Sequence, residues 1–105
     1  MAKRLMLALV MTILLGVAAV CSAYGGAIAY LNDELIVIET GYDDYTCGEL
    51  YSYAGFLEEG DAVYGSLKSF GFQDIYNDTR DESFRMYVDE YGLSEREVFR
   101  WLKEQ

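Results

Sequence analysis

The side chains able to do chemistry in this chain of 105 residues are carboxylates and phenols, because it contains no histidine. Without histidine, neither a histidine-based triad nor a zinc site of the common type can be built. A pair of carboxylates could cut glycosidic bonds. With 18 acids in 105 residues, however, some pair always falls at a suitable separation, so that signal has no specificity. The glycines are spaced as turns and bulges, and no Gly-rich phosphate loop is present. These features point away from an enzyme, and no cofactor is expected.

Tyrosine is the outlier, with ten in the chain. Tyr42, Tyr45, Tyr51 and Tyr53 cluster, and Tyr45 and Tyr51 share parity along an expected strand, so both point to one face. These four form the candidate binding surface. Tyrosine rings offer contact area with little entropy to lose, and they can stack on sugars or hold a cation. The same rings serve equally as packing on the half-buried surface of a small sheet.

Two acidic clusters, Asp43-Asp44 and Asn77-Asp78-Thr79-Arg80-Asp81-Glu82, carry oxygens of the kind that calcium takes. The second lacks EF-hand spacing and includes the opposing charge of Arg80. A solvated loop is its plainer reading, and no metal site is expected. Asn77-Asp78-Thr79 also matches a glycosylation sequon. Cys47 has no basic neighbour in sequence to activate it and reads as a small buried hydrophobe.

The charges divide the chain. Lys3 and Arg4 are the only charged residues before Asp33, and all 18 acids follow. Between them lie the apolar run Leu5–Val20 and a small-residue stretch through Ala29. A basic start, an apolar stretch and a small-x-small site make a secretory signal. Val17-Ala18-Ala19, Cys21-Ser22-Ala23 and Ala27-Ile28-Ala29 all fit the last requirement, the third of them best by residue type. The uncharged run from Leu5 to Leu31 is also long enough to stay in the bilayer as an anchor, where about 20 residues suffice. Val20 stands where a lipid-modified cysteine would have a small residue before it, which counts against lipidation of Cys21. Residues 1–29 are thus expected to be a signal peptide or membrane anchor, and 30–105 a small acidic extracytoplasmic domain.

The elements that must position these side chains are mostly strands. Leu35–Thr40 is β-branched and ends at Gly41, and Tyr45–Tyr51 follows with Gly48 as a bulge. Ala62–Leu67, Phe72–Tyr76 and the alternating Phe84–Asp89 complete five strands. Ser94-Glu95-Arg96-Glu97 is a capping box, with Leu93 and Val98 spaced as a hydrophobic staple. Val98, Phe99, Trp101 and Leu102 then form an apolar helical stripe. The expectation is a mainly β domain: a five-stranded antiparallel curved sheet or barrel, SH3-like or OB-like, with a C-terminal helix and a preceding hydrophobic helix. Glu59–Tyr64 resembles the turn into a strand of SH3-like barrels, and Tyr42-Asp43-Asp44-Tyr45 resembles their aromatic-acidic loop. The aromatic pair and proline-bearing segment of a peptide-binding SH3 domain are missing, so that activity is not implied.

Residues 30–105 hold six basic and 18 acidic side chains, a net charge of −12. Such a charge repels phosphate backbones and anionic membrane surfaces. Nucleic acid is therefore not expected as a partner, and membrane contact is expected only through the N-terminal segment. The function expected is a non-enzymatic interaction module of the cell envelope or extracellular space with a protein partner. The alternative is a binding protein for calcium, a cationic ligand or a glycan.

Overall fold

The run Leu35-Ile36-Val37-Ile38 is apolar on both strand faces because both faces are covered in the folded chain. Ile36 and Ile38 point into one hydrophobic cluster, and Val37 points into a second on the opposite side. The computed structural model describes residues 24–53 and 55–105. The hydrophobic helix expected over the N-terminal segment lies outside the described residues. No helix among the described residues is long and apolar enough to cross a membrane.

Among the described residues six strands form in chain order: β1 (Tyr24–Leu31), β2 (Leu35–Gly41), β3 (Asp44–Tyr53), β4 (Ala62–Gly65), β5 (Gly71–Asn77) and β6 (Glu82–Leu93). A single helix follows, α1 (Glu95–Lys103). The strands close into an antiparallel barrel in the order β1-β2-β3-β6-β5-β4. Two meanders, β1-β2-β3 and β4-β5-β6, are therefore joined at two seams, β3 with β6 and β1 with β4. Closure leaves no sheet edge unpaired, which removes the usual template for aggregation.

The mainly β barrel with its C-terminal helix agrees with the sequence expectation, but there are six strands and not five. The additional strand is β1. It begins at Tyr24, so the barrel starts six residues before the boundary drawn from composition. Its residues Gly25, Gly26, Ala27 and Ala29 have weak strand propensity, and only long-range pairing makes them a strand. At Gly26 the lack of a side chain has a mechanical reason. A Cβ on Gly26 would lie 2.6 Å from the Glu39 carbonyl oxygen of β2.

The barrel interior holds Ile28, Ile36, Ile38, Val63, Leu67, Ile75, Phe84, Met86 and Val88, joined by Leu57 from the connection between β3 and β4. β3 and β6 cross closely at Gly48, where a Cβ would collide with the Tyr87 carbonyl oxygen. The pairing slips by one residue between Cys47 and Gly48, which is the bulge expected there.

Helix α1 forms as its sequence dictates. The Ser94 hydroxyl accepts from the Glu97 N–H at 3.3 Å, and the Glu97 carboxylate accepts from the Ser94 N–H at 2.8 Å. A further donor of the first turn, the Glu95 N–H, is met from across the fold by Asp43 Oδ1 at 2.8 Å. Asp43 lies in the tight β2–β3 turn with φ of 50°. The turn thus caps the helix and fixes where it lies on the wall. Val98 and Trp101 then pack on Val37 and Cys47, with Leu93 of the staple beside them.

Candidate functional site: an aromatic ridge on the barrel wall

Outward-pointing residues on β3, β6 and β5 come together because those strands are neighbours in space. In register, Glu49 of β3 faces Tyr87 of β6, and Tyr87 faces Phe72 of β5. The Phe72 and Tyr87 rings meet edge to face with centroids 5.0 Å apart. Tyr51 reaches from β3 across β6 to Phe72, at 4.6 Å and an interplanar angle of 71°. Edge-to-face contact is the favoured geometry for aromatic pairs, since it sets the positive edge of one ring on the negative face of the other. The three rings are 64%, 50% and 40% exposed for Tyr51, Phe72 and Tyr87. Together they make a ridge of apolar surface with one or more ring faces open to solvent.

Charges border the ridge. Arg85 and Asp74 are directly opposite each other, and Arg85 Nε donates to Asp74 Oδ1 at 2.9 Å. The Arg85 guanidinium holds the Asp74 carboxyl below the usual carboxylate range. Glu49 on the other flank is exposed. A depression lined by Ser52, Tyr53, Ser83 and Phe84 includes this Arg85–Asp74 pair.

The four tyrosines singled out from sequence occupy different surroundings. Tyr42 is at the β2–β3 turn and fully exposed. Tyr45 packs against the cluster under α1. Burial raises its phenol pKa, with Glu39, Glu95 and Asp43 adding to the effect. Tyr51 is in the ridge, and Tyr53 is exposed at the end of β3. Tyr51 is thus grouped with Phe72 and Tyr87. The outward position of Tyr87 follows from the alternation of β6. The adjacency of β3, β6 and β5 carries no local sequence signal.

The acidic loop has an internal use. Asp61, only 3% exposed, accepts four hydrogen bonds. They come from Asn77 Nδ2 at 2.9 Å, Arg80 Nε at 3.0 Å, Arg80 Nη2 at 3.1 Å and the Glu58 N–H at 3.0 Å. Arg80 Nη2 also donates to Glu58 at 2.7 Å, and the guanidinium lies 4.9 Å from the Phe56 ring centroid. The Arg80 hydrogen bonds lower the Asp61 pKa, against an opposing effect of burial, with help from Asn77 and the Glu58 N–H. Among the described residues, no three acidic or cysteine side chains converge as metal ligands would. The sequon asparagine, Asn77, is fully buried with its Nδ2 given to Asp61, so the folded chain offers no acceptor nitrogen there.

Cys47 is buried behind Trp101 and Val98, and burial, with Asp89 and Glu90 nearby, pushes its thiol pKa up to about 12. A thiol in that state is no nucleophile. Comparison with protein-family models, with curated proteins and with solved structures finds no match to this chain.

Proposed function

We propose that this chain is a small exported or membrane-tethered interaction module that uses the Tyr51–Phe72–Tyr87 ridge to dock a basic protein partner of the cell envelope or extracellular space. The observation that carries this reading is the ridge itself, three exposed rings of which Phe72 touches both Tyr51 and Tyr87. Contiguous exposed apolar surface marks interaction sites, and tyrosine is enriched in them. The partner's charge follows from the chain's own charge of −10 and from Glu49 beside the ridge. Lysine or arginine on the partner would gain both an ion pair and a cation–π contact. The basic start, the apolar run and the absence of acids before Asp33 support delivery outside the cytoplasm.

Retention of envelope proteins by the immobilised chain, compared with a Tyr51→Ala/Phe72→Ala double variant, tests the reading. Wild type should retain a basic protein at low salt that the folded double variant loses at least tenfold. Equal retention by both would overturn it. The depression lined by Ser52, Tyr53, Asp74, Ser83 and Arg85, with its hydroxyls and charges, favours a glycan as a second reading. A rise in melting temperature with a saccharide, absent in Tyr53→Ala, would select it over the protein partner.

A further inference from the structure

We propose that processing of this chain, which rests on the export reading above, cuts the peptide bond between Ala23 and Tyr24. Water adds across that bond: the Ala23 carbonyl becomes a carboxylate and the Tyr24 nitrogen becomes the new amino terminus. A signal peptidase of the export pathway supplies the catalysis.

The best small-x-small match by residue type, Ala27-Ile28-Ala29, lies inside β1. A cut after Ala29 would remove every β1 residue that registers with β4, namely Tyr24, Gly25, Gly26 and Ala27. It would also remove Ile28, which is 2% exposed and pairs with Ile38. The Ile28 N–H donates to the Asp61 carbonyl at 2.9 Å, and the Ile28 carbonyl accepts from the Gly60 N–H at 2.7 Å. Without them the β1–β4 seam has no ladder, and β4 is left with a bare edge. The small residue just before this stretch, Gly26, has another role: it lets β1 approach β2 closely.

Two sites then remain. Val17-Ala18-Ala19 falls within the apolar run Leu5–Val20, whereas signal cleavage follows the end of such a run. Cys21-Ser22-Ala23 comes just after it, and the next residue, Tyr24, is the first of β1. A cut there releases the whole apolar segment and leaves all six strands complete.

N-terminal sequencing and intact mass of the full chain, secreted from a host with an export pathway, test this. The expected product begins at Tyr24. Ala23→Phe should abolish processing, because a bulky residue blocks the small-residue subsite, while Ala29→Phe, on an exposed position of β1, should leave it unchanged. A product beginning at Val20 or Tyr30, or processing lost in Ala29→Phe and kept in Ala23→Phe, would overturn the assignment. Full-length protein in the membrane fraction would overturn the cut and keep the export reading. Full-length protein in the cytoplasm would overturn both.

Discussion

Tyr45 and Tyr51 stand on the same outer side of β3, yet one lies under a helix and the other under solvent. Near Tyr45 the wall is covered: Val37, Cys47, Val98 and Trp101 form a second small core outside the barrel. Near Tyr51 the wall is bare, and its aromatic residues touch one another instead. In a small domain, one strand can therefore carry apolar residues for two purposes. The sequence types are alike, and what separates them is where α1 is pinned by Ser94 and Asp43.

The contrast is sharpest for the largest side chain on the covered side. Trp101→Ala removes a buried ring and the 2.7 Å bond from its Nε1 to Asp89. It should cost about 3–5 kcal/mol, a large part of the stability of a domain this size. Urea unfolding read by circular dichroism measures it. A loss similar to that of Tyr51→Ala would mean the helix adds little to the fold.

Arg80→Ala comes next. It leaves the Asp61 carboxylate buried with half of its hydrogen bonds and no cation, at a cost of about 3 kcal/mol. Asp61 also sets a pH dependence. Its pKa is lower folded than unfolded, so its contribution is present above the ordinary value of 3.8 and fades as pH falls through that value toward the folded one. Wild-type stability should decline below about pH 4, and Arg80→Ala should flatten that decline; parallel acid profiles for the two proteins would refute the assignment.

Ser94→Ala should cost about 1 kcal/mol, the ordinary value of an N-cap, measured by its melting temperature. Tyr51→Ala should change stability by less than about 0.5 kcal/mol while weakening partner capture, since its ring is largely exposed. The smallest effect is at Cys47. A thiol reagent at pH 8 should leave it unmodified in the native chain and label it fully in denaturant. Labelling of the folded protein would show that the helix-covered side opens readily.

What was legible in the sequence follows the range of each signal. The helix was plain because its cap, staple and apolar stripe lie within nine residues of one another. β2 through β6 were legible from β-branched runs, alternation and glycine boundaries. β1 was not, because Gly25, Gly26, Ala27 and Ala29 suit a processing region and a crowded strand equally well. The second role of Gly26 appears only once Glu39 is in contact. The four tyrosines were grouped by nearness in sequence, whereas the ridge joins residues from Tyr51 to Tyr87 through the β3–β6 seam. The Asn77–Glu82 loop read as a solvated acidic stretch. Its partner Asp61 lies 16 residues away from Asn77, and no local pattern announces that pairing.

The shortest strand gives the Asp61 cluster a further meaning. β4 has four residues and shares only two register pairs with β5, against eight between β3 and β6. Its entry is held from outside the ladder: the Ala62 N–H donates to the Thr79 hydroxyl at 2.8 Å, and Asp61 beside it holds Arg80. β4 thus relies on its four-pair ladder to β1 and, on the β5 side, on side chains that supplement two register pairs. Acid that protonates Asp61 should loosen this side of β4, and hydrogen exchange checks it: the amides of Ala62–Gly65 are expected to exchange ahead of those of β3 and β6.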